Sequence, residues 1–303
     1  MLSFIVHGGA WNIPDEQVQA HHNGVSNALK KGWQILQSGG SAVDAVEQAL
    51  RVLEDDETFD AGRGSHLNAN GVVELDASIM NGNTFRCGAV AGVHNIHNPI
   101  SLARKIMDES EHILLVGRGA EQFAMENGIR LCSPTELVID REINRWKAVQ
   151  GKEYSTKDAF EAKGLPSDTV GAVAMDKDGT LCAGTSTGGT FNKFPGRVGD
   201  SPLIGCGTYA DASVGGVSTT GWGEAMIKIV MAKTVVNLME NFEGDVQRAA
   251  DAGIKLLESK VGGHGGVIAM NSIGKFGVAF NTPRMARAFS DETMSKPYIA
   301  VEK

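Results

Sequence analysis

Cysteine is scarce in this chain. Only Cys87, Cys132, Cys182 and Cys206 occur among 303 residues, and no two form a CxxC pair. That spacing excludes a paired-cysteine metal site or dithiol motif, and the expectation is reduced thiols in a cytoplasmic protein. Positive charge is also in deficit: 28 Lys and Arg against 36 Asp and Glu leave a net charge of −8. A nucleic-acid or anionic-membrane partner would favour a basic face, so neither is expected. No apolar run is long enough to cross a bilayer, and the opening MLSFIVHGGAW has no basic segment of the kind that leads an export signal. The glycine-rich stretches match neither GxxxxGK[ST] nor a GxGxxG between strand and helix, which removes the usual phosphate cradles. His7 and the His21–His22 pair lack metal-like partners at standard spacings and read as structural or surface histidines. Internal repeats and low-complexity segments are absent as well.

Glycine, by contrast, is abundant: 38 residues, clustered at 8–9, 62–64, 184–189, 205–207, 215–223 and 262–266. Such clusters point to tight turns and close backbone approach. The hydrophobic fraction of 42% suffices for one large core or two small ones. SFIVHGGA reads as a buried strand, residues 15–37 as a helix, and Ser41 as the cap of a second helix with Asp44 at its third position. VVELDASIM and RCGAVAGV form a hairpin across Asn81-Gly82-Asn83. A helix opens at Pro99, HILLVG is a strand and GAEQFAMENG a helix. TELVIDREINRWKAV has helical character, and the polar segment of about 150–168 reads as a mobile linker. Beyond it, TVGAVAMD and TLCAGTS pair over Lys177-Asp178-Gly179. PLIGCGTYAD, GGVSTTG, GGVIAMN and KFGVAFN are further strands, and 223–241 and 246–261 are two helices. Strands grouped by hairpins, with helices in pairs, predict a helix–sheet–sheet–helix sandwich.

One residue stands out in this order. Thr169 follows the polar linker and opens an apolar strand. Read alone, DTV is equally a strand start chosen by β-propensity. A threonine hydroxyl is a weak nucleophile unless a base takes its proton. If the 168–169 bond were cut, the α-amine of Thr169 would supply that base, with an ordinary pKa of about 7.7–8.0. Arg197 and Asp200 lie three apart in a glycine-flanked turn. An arginine can hold an α-carboxylate by two charge-assisted bonds while an aspartate accepts from the ammonium; the pair is otherwise a surface ion pair. Thr220-Gly221 offers a hydroxyl and a backbone N–H of the kind that stabilises an oxyanion, or simply a glycine-rich turn before a helix.

The segments DTVGAVAMDKDGTLCAGTSTGG, GRVGDSPLIGCGTYAD and STTGWGEA resemble the plant-type asparaginase and isoaspartyl peptidase group of N-terminal-nucleophile hydrolases. HGGAW, FDAGRGSHLNANGVVELDASIMNG, CGAVAGV and NTPRMARAF fit the same family, so the resemblance runs through nearly the whole chain and lapses mainly in the linker. It implies a four-layer αββα fold, one domain over 1–303, and self-cleavage into an α chain of 1–168 and a β chain of 169–303. It also implies hydrolysis of side-chain amides in asparagine and β-aspartyl dipeptides, with a dimer of αβ units as the complete enzyme. By the same resemblance Thr169 is the nucleophile, Thr187 its hydrogen-bonding partner, Arg197 and Asp200 the substrate clamp, and Thr220 with Gly221 the oxyanion hole. LEDDETFDAGRG resembles the family's sodium loop, in which backbone carbonyls of Leu53, Glu54, Asp56, Phe59, Ala61 and Arg63 would hold the ion; it also reads as an acidic helix end running into a turn. No organic cofactor is implied.

Two positions depart from the family pattern. Asp168 stands where asparaginase members typically have glycine, and so resembles the related glycosylasparaginases, which cleave GlcNAc–asparagine; Asp60 stands where many members have asparagine. A carboxylate at 168 has two candidate roles, accepting the threonine proton or straining the scissile peptide. A non-catalytic amino-acid binding protein that keeps the clamp is the alternative of another class.

Overall fold

The computed structural model describes residues 1–152 and 168–303. Most of the expected linker, 153–167, lies outside the described residues. The first strand, β1 (Ser3–Trp11), is followed by α1 (Asp15–Gln37) and α2 (Ala42–Glu54). The cap of α2 is as the sequence predicts, with the Asp44 N–H donating to Ser41 Oγ at 3.1 Å. Strands β2 (Leu75–Asn81) and β3 (Cys87–Val93) form the expected hairpin. Next come α3 (Pro99–Glu109), β4 (Leu114–Val116) and α4 (Gly117–Glu126). The stretch read as one helical segment splits into α5 (Pro134–Leu137) and α6 (Asp140–Val149), because Val138 is extended and ends the first.

In the second half β5 (Val170–Met175) and β6 (Leu181–Thr187) pair in the predicted register, Val170 opposite Ser186. Then follow β7 (Thr208–Asp211), β8 (Gly215–Gly221), α7 (Gly223–Lys228), α8 (Met231–Asn241) and α9 (Val246–Val261). The chain closes with β9 (Gly265–Asn271), β10 (Phe276–Phe280), β11 (Arg284–Asp291) and β12 (Tyr298–Ala300).

Three expectations are corrected. The helix predicted over 223–241 breaks at Val230, which sits in the left-handed region at φ 49°. The N–H groups of Ala232 and Lys233 turn instead to the carbonyls of Cys206 and Gly205. PLIGCG is not strand: its backbone closes turns, Leu203 N–H to Asp200 and Cys206 N–H to Leu203, and only 208–211 is extended. HILLVG shrinks to three strand residues. Strands β11 and β12 carried no sequence expectation; β11 pairs along β1, and β12 covers β11.

An eight-stranded sheet runs β12-β11-β1-β5-β6-β2-β3-β4, and a four-stranded sheet runs β10-β9-β8-β7. Among the strands of the described residues only β3 and β4 pair in parallel. Outside the larger sheet, Val25, Leu29, Val46 and Leu50 from α1 and α2 join Ile100, Leu102 and Ile106 from α3 in one core. Outside the smaller sheet, Met231, Val235 and Met239 of α8 pack with Ala250 and Leu257 of α9. Between the sheets lie Ile5, Val173, Leu181, Ile268, Met270 and Met285. The layers are therefore helix, sheet, sheet, helix, as predicted.

The sheets approach very closely at Gly171. A Cβ there would meet Ser218 Oγ at 1.9 Å and His7 Nε2 at 2.4 Å. Gly171→Ala is expected to cost about 1–3 kcal/mol, as overpacking does, read as a lower urea midpoint with an unchanged m-value; an unaltered midpoint refutes it.

Candidate active site

Thr169 immediately precedes β5, which lies mid-sheet between β1 and β6. Its hydroxyl donates to Thr187 Oγ1 at 3.0 Å, at the end of neighbouring β6. Thr187 Oγ1 also accepts from the Gly189 N–H at 2.9 Å, which fixes the acceptor. Both threonines are buried, 6% and 2% exposed. They line a narrow cleft with Gly189, Arg197, Asp200, Gly221 and Gly223 among its walls. Six of the residues expected from sequence thus meet in or beside one hollow. Thr169, Thr187, Arg197, Asp200 and Gly221 line it, and Thr220 precedes Gly221 on β8.

Ser218 and Thr220 alternate onto one face of β8. Ser218 Oγ reaches the larger sheet, at 3.0 Å from His7 Nε2 and 2.7 Å from Thr185 Oγ1. The Thr220 hydroxyl is buried and has no hydrogen-bond partner among the described residues. A buried unpaired hydroxyl carries a desolvation cost. Gly221 has φ 137°, and a Cβ there would press on the carbonyl of His264 at 2.4 Å. Only glycine fits that backbone.

Arg197 and Asp200 are preset by different partners. The Nε and Nη2 atoms of Arg197 each donate to Glu224 at 2.8 Å, and Nη1 lies against Gly189 and Gly199. Burial works against the guanidinium charge, but Glu224 outweighs it and raises the pKa. Glu224, at the start of α7, is pushed low: burial opposes ionisation and Arg197 overcomes it. Asp200 Oδ2 accepts from Thr219 Oγ1 at 2.6 Å, and burial raises its pKa against that bond and Arg197. A Cβ on Gly223 would lie 2.8 Å from Arg197 Nη2 and 2.9 Å from Asp200 Oδ1. Glycine at 223 therefore keeps the space between the two side chains open. Sequence reading passed over Glu224, whose only signal was an acid in the first turn of a helix.

The histidines divide. His7 is fully buried between the sheets, and burial drives its pKa down to about 3, so it is neutral. Its Nε2 lies 3.0 Å from Ser218 Oγ, and the neighbouring Thr169 backbone only partly offsets the effect of burial. His21 is buried too, against Asp168 at 3.2 Å, and is no surface group. Neither role was visible in the sequence.

Asp60 lies under the loop after Thr187. Its carbonyl accepts from the Gly188 N–H at 2.8 Å, and Oδ1 accepts from the His66 N–H at 2.8 Å. Burial raises its pKa to about 6, against the pull of His66. Burial also opposes charge on His66, but Asp60 and Glu142 raise it to about 9. Glu142, on α6, is 2.7 Å from His66 Nδ1. The negative charge anticipated at 60 is thus paired with an imidazolium.

In the 53–63 loop the carbonyls of Phe59, Ala61 and Arg63 accept no hydrogen bond among the described residues. Those of Leu53, Glu54 and Asp56 accept from the N–H groups of Asp56, Arg63 and Phe59 respectively. Such oxygens retain lone pairs, a donor set that suits a hard cation. No cluster of three or more His, Cys, Asp or Glu able to hold a metal occurs among the described residues.

A family model described as Asparaginase matches residues 1–300. The chain belongs to the asparaginase family. It is 44% identical to the isoaspartyl peptidase/L-asparaginase of Xenopus laevis, over 94% of this chain and 90% of that one. The Bos taurus protein of the same name is 46% identical, over 93% and 90%. The plant-type L-asparaginase of Pyrococcus abyssi is 42% identical, over 99% and 100%. This family consists of N-terminal-nucleophile hydrolases, in agreement with the four layers and the enzyme class read from sequence. Among the described residues no helix is long and apolar enough to cross a membrane.

The 53–63 loop also contains a titrating group. Glu54 Oε1 accepts from Ser186 Oγ at 2.6 Å and the Ile100 N–H at 2.9 Å. Burial pushes the Glu54 pKa from 4.5 up to about 8. A raised folded-state pKa gives stability that is complete below the unfolded value and lost as pH rises through the folded one. From about pH 4.5 to 8, Glu54→Gln should melt progressively higher relative to the parent. Parallel melting curves at pH 5 and pH 9 would refute this.

Proposed function

We propose that this chain activates itself by cutting the Asp168–Thr169 bond, then hydrolyses the side-chain amide of β-aspartyl dipeptides and L-asparagine, releasing L-aspartate. The names of the relatives support the substrate class. The observation that carries the mechanism is the Thr169 hydroxyl in one cleft with Arg197 and Asp200. In the first step Thr169 Oγ attacks the carbonyl carbon of Asp168. The C–N bond breaks, an ester forms, and the hydroxyl proton ends on the freed amine. Water then hydrolyses the ester, leaving a carboxylate on Asp168 and the hydroxyl restored on Thr169.

In the mature enzyme the Thr169 α-amine takes the hydroxyl proton as the oxygen attacks the substrate amide. The unpartnered Thr220 hydroxyl and the Gly221 backbone are the oxyanion donors, which need not reorganise for the reaction. Arg197 takes the substrate α-carboxylate through Nη1 while Glu224 holds its other edge. Asp200 accepts from the ammonium. The amine leaves with the proton, and water splits the aspartyl–threonine ester. The carbonyls of Leu53, Glu54, Asp56, Phe59, Ala61 and Arg63 would hold a sodium ion. It would brace the loop whose Asp60 carbonyl meets Gly188. The complete unit on this reading is a dimer of αβ units.

Intact-mass measurement of purified protein should show two chains, divided after residue 168. Thr169→Ala should remain one chain and be inactive on β-Asp-Leu, L-asparagine and GlcNAc-Asn offered side by side; full amidase activity in that variant would sink the proposal. The parent should favour the first two substrates over GlcNAc-Asn.

Arg197→Lys keeps the charge but loses the planar fork. It should lower kcat/KM by about 10–100-fold, in the range of charge-assisted bonds worth ~1.5–3 kcal/mol. Unchanged kinetics would remove Arg197 from the clamp.

A further inference from the structure

The Asp168 side chain is buried at 2% exposure and turned away from bulk water. Its Oδ1 accepts from the Trp11 indole N–H and lies 3.2 Å from His21 Nε2. His21 Nδ1 is 2.9 Å from the Gln17 carbonyl, one helical turn back on α1. A carbonyl only accepts, so Nδ1 carries a proton; a carboxylate at Nε2 calls for a second. The ring is therefore held as an imidazolium. Burial alone would lower its pKa, but Asp168 and Asp56 together raise it.

The ring cannot drift. Phe59 packs edge-on against it at 5.4 Å and 80°. Phe59 itself fills space that only glycine leaves at 8 and 24, where a Cβ would come within 2.3 Å of its ring. Trp11 comes from β1 and His21 from α1. On the other side of the bond to be cut, Val170 is held in the ladder opposite Gly8. The two sides of the peptide are thus fixed by different elements, and the peptide cannot rotate without breaking one hold.

We propose that His21 is a positioning residue for self-cleavage: by gripping the Asp168 carboxylate with Trp11, it sets the face that the scissile carbonyl presents to the Thr169 hydroxyl. This rests on the self-cleavage reading above. His21 neither gives nor takes a proton in the step. Its effect passes entirely through the Asp168 side chain, as alignment of reacting groups requires.

A double-mutant cycle isolates that dependence. Cleavage is followed by intact mass from the moment of cell-free synthesis, in the parent, His21→Ala, Asp168→Gly and the double variant, with thermal melting as a control for folding. His21→Ala should slow cleavage about tenfold or more when Asp168 is present, a coupling typical of contacting residues. In the Asp168→Gly background the same change should alter the rate by less than about twofold. His21→Gln keeps an N–H donor and should recover part of the rate. It also serves as the second arm of the cycle if the alanine variant does not fold. Equal slowing in both backgrounds, or none in either, overturns the inference while leaving self-cleavage standing. A parent chain that keeps its full mass on prolonged incubation overturns self-cleavage and this inference together.

Discussion

The site depends on a single placement: β5 is hydrogen-bonded on both edges, to β1 and to β6, so the residue before it has no freedom to choose its direction. Thr169 inherits a fixed position from two ladders. The hydroxyl of Thr187 inherits its own from β6. Two hydroxyls that meet within a hydrogen bond are thereby set by backbone pairing rather than by flexible side chains. Rigid elements hold reacting groups more tightly than loops can. The smaller sheet then brings β8 across the gap, with its close approach at Gly171 and with Gly221 at the wall of the cleft.

Around this frame, several buried charges are held in pairs. Arg197 is matched by Glu224, His66 by Glu142 and Asp60, and His21 by Asp168. Buried charges persist only when paired and hydrogen-bonded. Each of these pairs also joins distant segments: α7 to the 197–200 turn, α6 to the loop behind Thr187, α1 to the residue before β5. Electrostatics here ties loops to the frame, and in the cleft Arg197 and Asp200 stand among hydroxyls and glycines.

Much of this was legible in the chain. Residues 15–37 and 246–261 have an apolar stripe and clear ends, and the helices have those bounds. The Asp-Gly turn of β5–β6 is a local signal, and the hairpin followed it. Thr169, Thr187 and the Arg197–Asp200 pair stood out because glycine-flanked motifs carry them. What stayed hidden depends on contacts between residues far apart. The break at Val230 is imposed by carbonyls at 205 and 206, and nothing in 223–241 announces it. Strand β11 holds arginine and alanine in place of stronger β-formers, and β12 is only three residues long. Trp11, His21 and Glu224 looked like ordinary members of their elements, since each gains its partner only when the chain folds.

The strand order has a topological consequence. Assigned to the two chains that a cut after residue 168 would leave, the larger sheet alternates between them: β12 and β11 from the second, β1 from the first, β5 and β6 from the second, β2, β3 and β4 from the first. Three seams, β11/β1, β1/β5 and β6/β2, would then join separate molecules along antiparallel ladders. Neither piece would own the larger sheet, and neither could leave without opening all three seams. A break in the covalent chain would release a new terminus into the cleft while the interleaved strands held the body together, like a hinge pin withdrawn from a joint that has other pins.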